Sequence, residues 1–264
     1  MSEASVSAPR ATSSRQVRLG MLTPSSNTVL EPVTAAMLAG VPDISVHFAR
    51  FRVTAIGLDA AALGQFDDRP MLAAAELLAD AKVDAITWNG TSAGWLGLDA
   101  DRRLCERITE VTGISASTSV LSLFDVLRAR AETRIGLVTP YTDDVQQAIV
   151  AGFAREGVEV IAERHFGIRD NFSFGVVTRE TIAEAIEAVA ADGPQAISIL
   201  CTNLIGAPLV ADLEERLDVS IHDSIATALY GALEAAGLPP SCIKGYGRLF
   251  EAGTNAGMQG RASA

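Results

Sequence analysis

Short apolar runs rich in β-branched residues alternate along the chain with longer Ala/Leu/Glu stretches of helical period. VRLGML (17–22), ISVHFARF (44–51), DAITW (84–88), RIGLV (134–138), VEVIAERH (158–165) and AISIL (196–200) read as strands. Residues 68–81, 99–112, 118–130, 142–155, 179–191 and 224–236 read as the helices around them. Nearly continuous apolar runs belong to strands buried on both faces, and strand–helix alternation supplies the helices that cover them. The pattern predicts an α/β fold on mainly parallel sheet.

The chain also repeats itself. RLGMLTP at 18–24 returns as RIGLVTP at 134–140, and DAITWNGTS at 84–92 returns as QAISILCTN at 195–203. SVLSLFDVLRA at 119–129 returns as SIATALYGALEA at 224–235. Three matches in the same order predict two homologous units rather than coincidence. The expected architecture is two pseudo-symmetric lobes, 17–130 and 131–228, with 229–264 packing back on the first lobe and a cleft between the lobes. Residues 1–16 read as a disordered tail, because MSEASVSAPRATSSR lacks the apolar centre of a secretory signal. The closing AGTNAGMQGRASA reads the same way.

Composition narrows the classes. Of 264 residues, 48% are apolar and 20% charged, enough for a large core and too little charge for a disordered chain. Against 21 basic residues stand 32 acidic ones, a net charge of −11 that argues against nucleic-acid binding. No apolar stretch reaches the roughly 18–20 residues of a membrane span. Cys105, Cys201 and Cys242 do not make a disulfide framework, so a cytoplasmic setting is expected. The helical surfaces leave room for a homo-oligomer.

The repeat also locates a site. Ligands of open parallel sheets sit beyond the carboxyl ends of the strands. Each repeated strand here runs into a polar turn: TPSSN and TPYTD, NGTS and CTN. Gly90 and Cys201 fall at equivalent positions, so one half offers a thiol where the other offers none. Cys201 is expected beside backbone N–H groups and a helix start, which pull a thiol pKa down from about 8.5. Its plain alternative is a buried apolar filler. Thr91 and Ser92 supply hydroxyl donors for a carboxylate or an enediolate, with helix capping as the alternative. Tyr141 adds a phenol, and Asp143 and Asp144 favour the helix start that follows. Ser25, Ser26 and Asn27 are neutral donors, Asn27 also reading as an N-cap, and Asn171 is a further side-chain amide. Trp88 and Trp95 flank the Gly90 turn and read as core, with an aromatic subsite as the alternative.

Other chemistries find less support. The GxGxxG and GxxxxGK[ST] phosphate loops are absent. His47, His165 and His222 stand at no metal spacing and no CxxC occurs, so no metal site is expected. His222 and Asp223 adjoin a strand end and leave a Ser-His-Asp arrangement open, although the GxSxG elbow is missing. In the repeat they match Ser117 and Thr118, which makes helix capping their other reading. Cys105 and Cys242 read as structural.

TPSSNT, GTS, TPYTDDV, GIRDN and the strand-end Cys201, in that arrangement over residues 17–250, resemble the aspartate/glutamate racemase superfamily. The branch they resemble is that of maleate cis-trans isomerases and arylmalonate decarboxylases. The resemblance implies cofactor-free chemistry on a small carboxylic acid between pseudo-twofold lobes. Racemases and isomerases of this superfamily use a cysteine at each equivalent strand end, and Gly90 departs from that pattern. Arylmalonate decarboxylases look like this chain there, with glycine then Thr-Ser in the first lobe and a lone cysteine in the second. Asn27 and Asn171 resemble the carboxylate contacts of the isomerases, and Ser26, beside Asn27, and Thr202 and Asn203, beside Cys201, are further residues expected to bind the substrate. The reading adopted is decarboxylation, with Cys201 as proton donor and Thr91, Ser92 and Tyr141 holding the retained carboxylate. Alternatives are an isomerase using Cys201 alone as nucleophile, an ectoine-utilisation type of isomerase or racemase sharing the GTSAGW turn, and a carboxylate binder without turnover. The negative net charge repels a dianion at long range, so local donors must bind it.

Overall fold

A computed structural model describes residues 16–251; the expected tail at 1–15 and the closing stretch from 252 lie outside the described residues. The first lobe runs β1 (Val17–Pro24), α1 (Leu30–Leu38), β2 (Ile44–Phe51), α2 (Ala60–Leu63), α3 (Asp68–Asp80), β3 (Ala85–Trp88), α4 (Ala93–Leu96), α5 (Leu98–Thr112), β4 (Ala116–Thr118) and α6 (Ser119–Ala129). The second runs β5 (Arg134–Thr139), α7 (Asp143–Arg155), β6 (Glu159–His165), α8 (Asn171–Phe174), α9 (Arg179–Ala190), β7 (Ala196–Ile199), α10 (Val210–Leu217), β8 (Ser220–Asp223) and α11 (Ser224–Ala235).

Each lobe is a four-stranded parallel sheet, ordered β2-β1-β3-β4 in the first and β6-β5-β7-β8 in the second. The two orders are the same under the sequence repeat, so β3 and β7, both buried along their whole length, are equivalent inner strands. Crossover helices cover the sheets, as parallel pairing requires.

The six expected strands and six expected helices form within a residue or two of their predicted ends. The pattern missed β4 (AST) and β8 (SIHD), which are short and polar and carry no apolar run. It also missed α1, where Pro32 interrupts the helical reading but sits in the first turn, the one place a helix tolerates it. α10 and the short α2, α4 and α8 were likewise not expected.

α11 follows the last strand of the second lobe yet packs on α6, β3 and β4 of the first. Where it crosses α6, a Cβ at Gly231 would fall 1.9 Å from Ser122 Oγ, so any side chain there has to displace that hydroxyl. After α11 the chain folds back on that helix and on the turn that ends α10. Tyr230 meets Phe250 at 6.4 Å between ring centres, while the Arg248 guanidinium donates to Asp218 at 2.8 Å.

Candidate active site

All four turns reach one small cavity between the lobes, about 20 Å³ in volume. Pro24, Val53, Ile56, Phe66, Trp88 and Trp95 form an apolar wall. Gly90, Thr91, Ser92, Tyr141, Cys201 and Thr202 form the polar end, with Asn171 at its side. None of these lining residues carries a positive charge.

Cys201 lies two residues past β7 and is 3% exposed. No helix begins behind it. A turn follows, then a single 3₁₀ turn at Ala207–Leu209 before α10, so the helix dipole expected to acidify the thiol is not there. What remains is the Asn203 N–H donating to Sγ at 3.3 Å, the Leu204 N–H and the Tyr141 hydroxyl. Burial outweighs them and pushes the thiol up to about 12. The expectation of a depressed pKa is therefore corrected: the thiol is held protonated.

Thr91 and Tyr141 join the lobes across this end of the cavity, Thr91 Oγ1 standing 2.5 Å from Tyr141 OH. The phenol is fixed from its sides by edge-on contacts with Trp95 (5.4 Å) and Phe174 (5.5 Å). Burial and the neighbouring Cys201 raise its pKa well above the ordinary value, so it is a donor and not a phenolate. Ser92 opens α4 and lines the cavity beside Thr91.

The turn that carries Gly90 is pinned from two directions. Ser119, the first residue of α6, donates to the Gly90 carbonyl at 2.5 Å, and Thr202 Oγ1 donates from the other lobe to the Asn89 carbonyl at 2.9 Å. The equivalent serine of the second lobe, Ser224, donates to the Ile199 carbonyl at 2.9 Å. This paired serine was visible in the repeat of the two helices, but its partner was not.

Ser26, Asn27 and Asn203 do not line the cavity. The Asn27 amide oxygen accepts from Val29 N and Leu30 N at the head of α1, the capping role, while its Nδ2 donates to the Thr202 carbonyl at 3.0 Å. Asn203 Oδ1 accepts from Thr28 N and Val29 N, and its Nδ2 donates to the Asn171 carbonyl at 2.5 Å. Asn171 in turn donates to Ser26 Oγ at 2.8 Å, and Ser26 donates to the Val53 carbonyl at 2.7 Å. These side chains fasten the first lobe to the second around the cavity. Of the five residues expected to bind substrate, Ser26, Asn27, Asn171, Thr202 and Asn203, only Asn171 and Thr202 reach its wall.

The remaining candidates fall elsewhere. His222 Nε2 pairs with Glu132 Oε2 at 2.6 Å and Asp223 caps α11 through Ile225 N and Ala226 N, and neither lines the cavity. No Ser-His-Asp arrangement is assembled there. Cys105 is pushed up to about 12 by burial and by Asp101, and burial also raises Cys242. Both are remote from the site. Trp88 and Trp95, read from sequence as core, are buried and also wall the cavity, and neither indole N–H has a partner among the described residues. No helix of the described residues is long and apolar enough to cross a membrane, and no cluster of three His, Cys, Asp or Glu among them suits a metal.

Comparison with known proteins follows the same lines. The model of the arylmalonate decarboxylase family matches residues 19–250. The maleate isomerase of Nocardia farcinica is 26% identical, the match covering 88% of this chain and 95% of that protein. The arylmalonate decarboxylase of Bordetella bronchiseptica is 25% identical, with 88% and 96% covered. Among solved structures, the maleate isomerase Iso from Pseudomonas putida S16 superposes with a TM-score of 0.80 at 25% identity, over 89% of this chain and 98% of that one. An arylmalonate decarboxylase structure shares the fold at a TM-score of 0.70 and 23% identity, over 88% and 98%. With the family model spanning both lobes and all four turns, this chain belongs to the arylmalonate decarboxylase family.

Proposed function

We propose that this chain is a cofactor-free decarboxylase of small malonate-type diacids in which Cys201 is the sole proton donor. The observation that carries the reading is the asymmetry of two equivalent turns: Cys201 lines the cavity from one, and Gly90 contributes no side chain from the other. In the reaction the bond between the α-carbon and one carboxylate breaks and carbon dioxide leaves. The electron pair stays on the α-carbon and spreads into the remaining carboxylate as an enediolate. Hydroxyls of Thr91, Ser92 and Tyr141 are positioned as donors to that group, which needs them most when its charge is greatest. Cys201 passes its S–H proton to one face of the α-carbon, and the thiolate regains a proton from water.

Two properties of the site support this over isomerisation. A thiol held up to about 12 is a proton donor at neutral pH, whereas addition to an alkene requires the thiolate. The apolar wall, with no cation on it, solvates a carboxylate poorly, and departure as neutral carbon dioxide relieves that cost. An isomerase retains both carboxylates and must solvate both. The curated relatives carry both activities, so substrate turnover decides between them.

The test is proton NMR in D₂O with maleate, methylmalonate, phenylmalonate and aspartate, each with the wild type and Cys201→Ser. The expected result is loss of one carboxylate from a malonate with a single deuterium delivered, by the wild type alone. Fumarate formed from maleate supports the isomerase instead, and binding of every diacid without turnover supports a carboxylate binder.

A further inference from the structure

Gly90 has no side chain, although its backbone does not call for glycine: its φ lies outside the left-handed region. The reason is spatial. A Cβ at position 90 would lie 2.0 Å from Trp88 Cζ2, 2.3 Å from Cε2 and 2.6 Å from Cη2, that is, within the indole ring itself. Trp88 cannot readily yield, being 1% exposed and packed against Phe51 at 5.1 Å between ring centres. In the second lobe the pair equivalent to Trp88 and Gly90 is Ile199 and Cys201. There a shorter side chain two residues earlier goes with a thiol at the strand end.

We propose that Trp88 is a specificity-determining residue, its indole filling the volume that a side chain at position 90 requires and so keeping the cavity wall opposite Cys201 without an acid. The steric part stands on the geometry alone. Its catalytic consequence, protonation from one face only, rests on the decarboxylase reading. On this account positions 88 and 90 form a single determinant. A thiol placed at 90 while Trp88 stays has no room, whereas Trp88→Ile copies into the first lobe the arrangement that the second already has.

The test is a thermal-melting cycle without substrate, comparing Gly90→Ala in the wild type and in Trp88→Ile. Overpacking against the indole should lower Tm by about 5 °C or more in the wild-type background, and the same change should cost little beside isoleucine. An equal fall in both backgrounds overturns the proposal. So does an unchanged Tm for Gly90→Ala alone, which decides the matter even if Trp88→Ile fails to fold. The catalytic arm then compares Gly90→Cys with Trp88→Ile/Gly90→Cys, using the product of a prochiral malonate. The double variant is expected to give a mixture of enantiomers, and a mixture of the same composition from Gly90→Cys alone contradicts the coupling. Should no variant turn over any malonate, the decarboxylase reading fails while the melting cycle still judges the steric claim.

Discussion

The hydroxyls of Thr91 and Tyr141 meet at 2.5 Å across the gap between two lobes, each just beyond the carboxyl end of a strand. One oxygen comes from the turn after β3 and the other from the turn after β5, and Cys201, after β7, lies beside the same phenol. Three turns from both halves of the repeat thus converge on one small polar patch. A carboxylate bound there sits within reach of hydroxyl donors and of an S–H on one side.

Removing the phenol tests this arrangement. Tyr141→Phe keeps the ring packing with Trp95 and Phe174 but deprives Cys201 and Thr91 of a partner and the substrate of a donor. Loss of one donor of this kind costs on the order of 10²-fold in kcat. The expected result is that fall in kcat with a smaller change in KM; an unchanged kcat excludes Tyr141 from the site's chemistry.

The state of the thiol gives a second prediction. With Cys201 up to about 12 against an ordinary value of 9.0, almost none of it is thiolate at pH 8. Iodoacetamide at that pH should therefore label Cys242, which is partly exposed, well before Cys201, with peptide mapping as the readout. The rate of labelling at Cys201 is expected to be lower than that of a free cysteine by on the order of 10²-fold or more. Rapid labelling of Cys201 at pH 7 identifies a thiolate nucleophile instead.

Stability should fall as pH rises through the acid range. Asp101, 2% exposed with one carboxyl oxygen unpartnered, is pushed from 3.8 to about 7 by burial, and so is Asp223. Between those values the folded chain binds more protons than the unfolded one, so stability present below pH 3.8 is lost as pH climbs to about 7. Asp101→Asn removes that buried charge and keeps an acceptor for Thr118. Its gain in Tm should grow across the same window and level off above it at roughly 10 °C, corresponding to about 4 kcal/mol. A gain that does not change with pH assigns the effect to packing.

Asn203 tests the fastening between lobes. Asn203→Ala leaves Thr28 N–H, Val29 N–H and the Asn171 carbonyl without this partner. At about 1–3 kcal/mol for a buried group so orphaned, the total loss should be about 3 kcal/mol in urea unfolding. Asn203→Asp keeps the acceptor but buries a carboxylate against the Asn171 carbonyl, so its loss should be at least as large as that of alanine at neutral pH. Equal stability of all three proteins removes Asn203 from the interface.

The repeat made the core of this site legible. Matching DAITWNGTS to QAISILCTN aligns β3 with β7 and sets Gly90 against Cys201. Thr91, Ser92 and Tyr141 followed because strand ends of parallel sheets face one side. What the sequence did not reveal depends on long-range partners. Asn27 and Asn203 look like substrate amides in their turns, but their partners lie some 175 positions away in the chain and across the lobes. The thiol pKa was misjudged because a helix was assumed behind Cys201, where the chain instead makes a turn and burial dominates. β4 and β8 are defined by their pairing with β3 and β7 and not by apolar pattern, so they stayed invisible. The Trp88–Gly90 relation is not legible in sequence, since two residues so near in the chain do not reveal which way an indole turns.

The measurement that tests the central claim most directly is the enantiomeric composition of the 2-phenylpropionate formed from α-methyl-α-phenylmalonate. A single S–H at Cys201 opposite a bare Gly90 predicts one enantiomer from the wild type and loss of turnover in Cys201→Ser. A racemic product, or turnover that survives Cys201→Ser, contradicts a single cysteine as the proton donor.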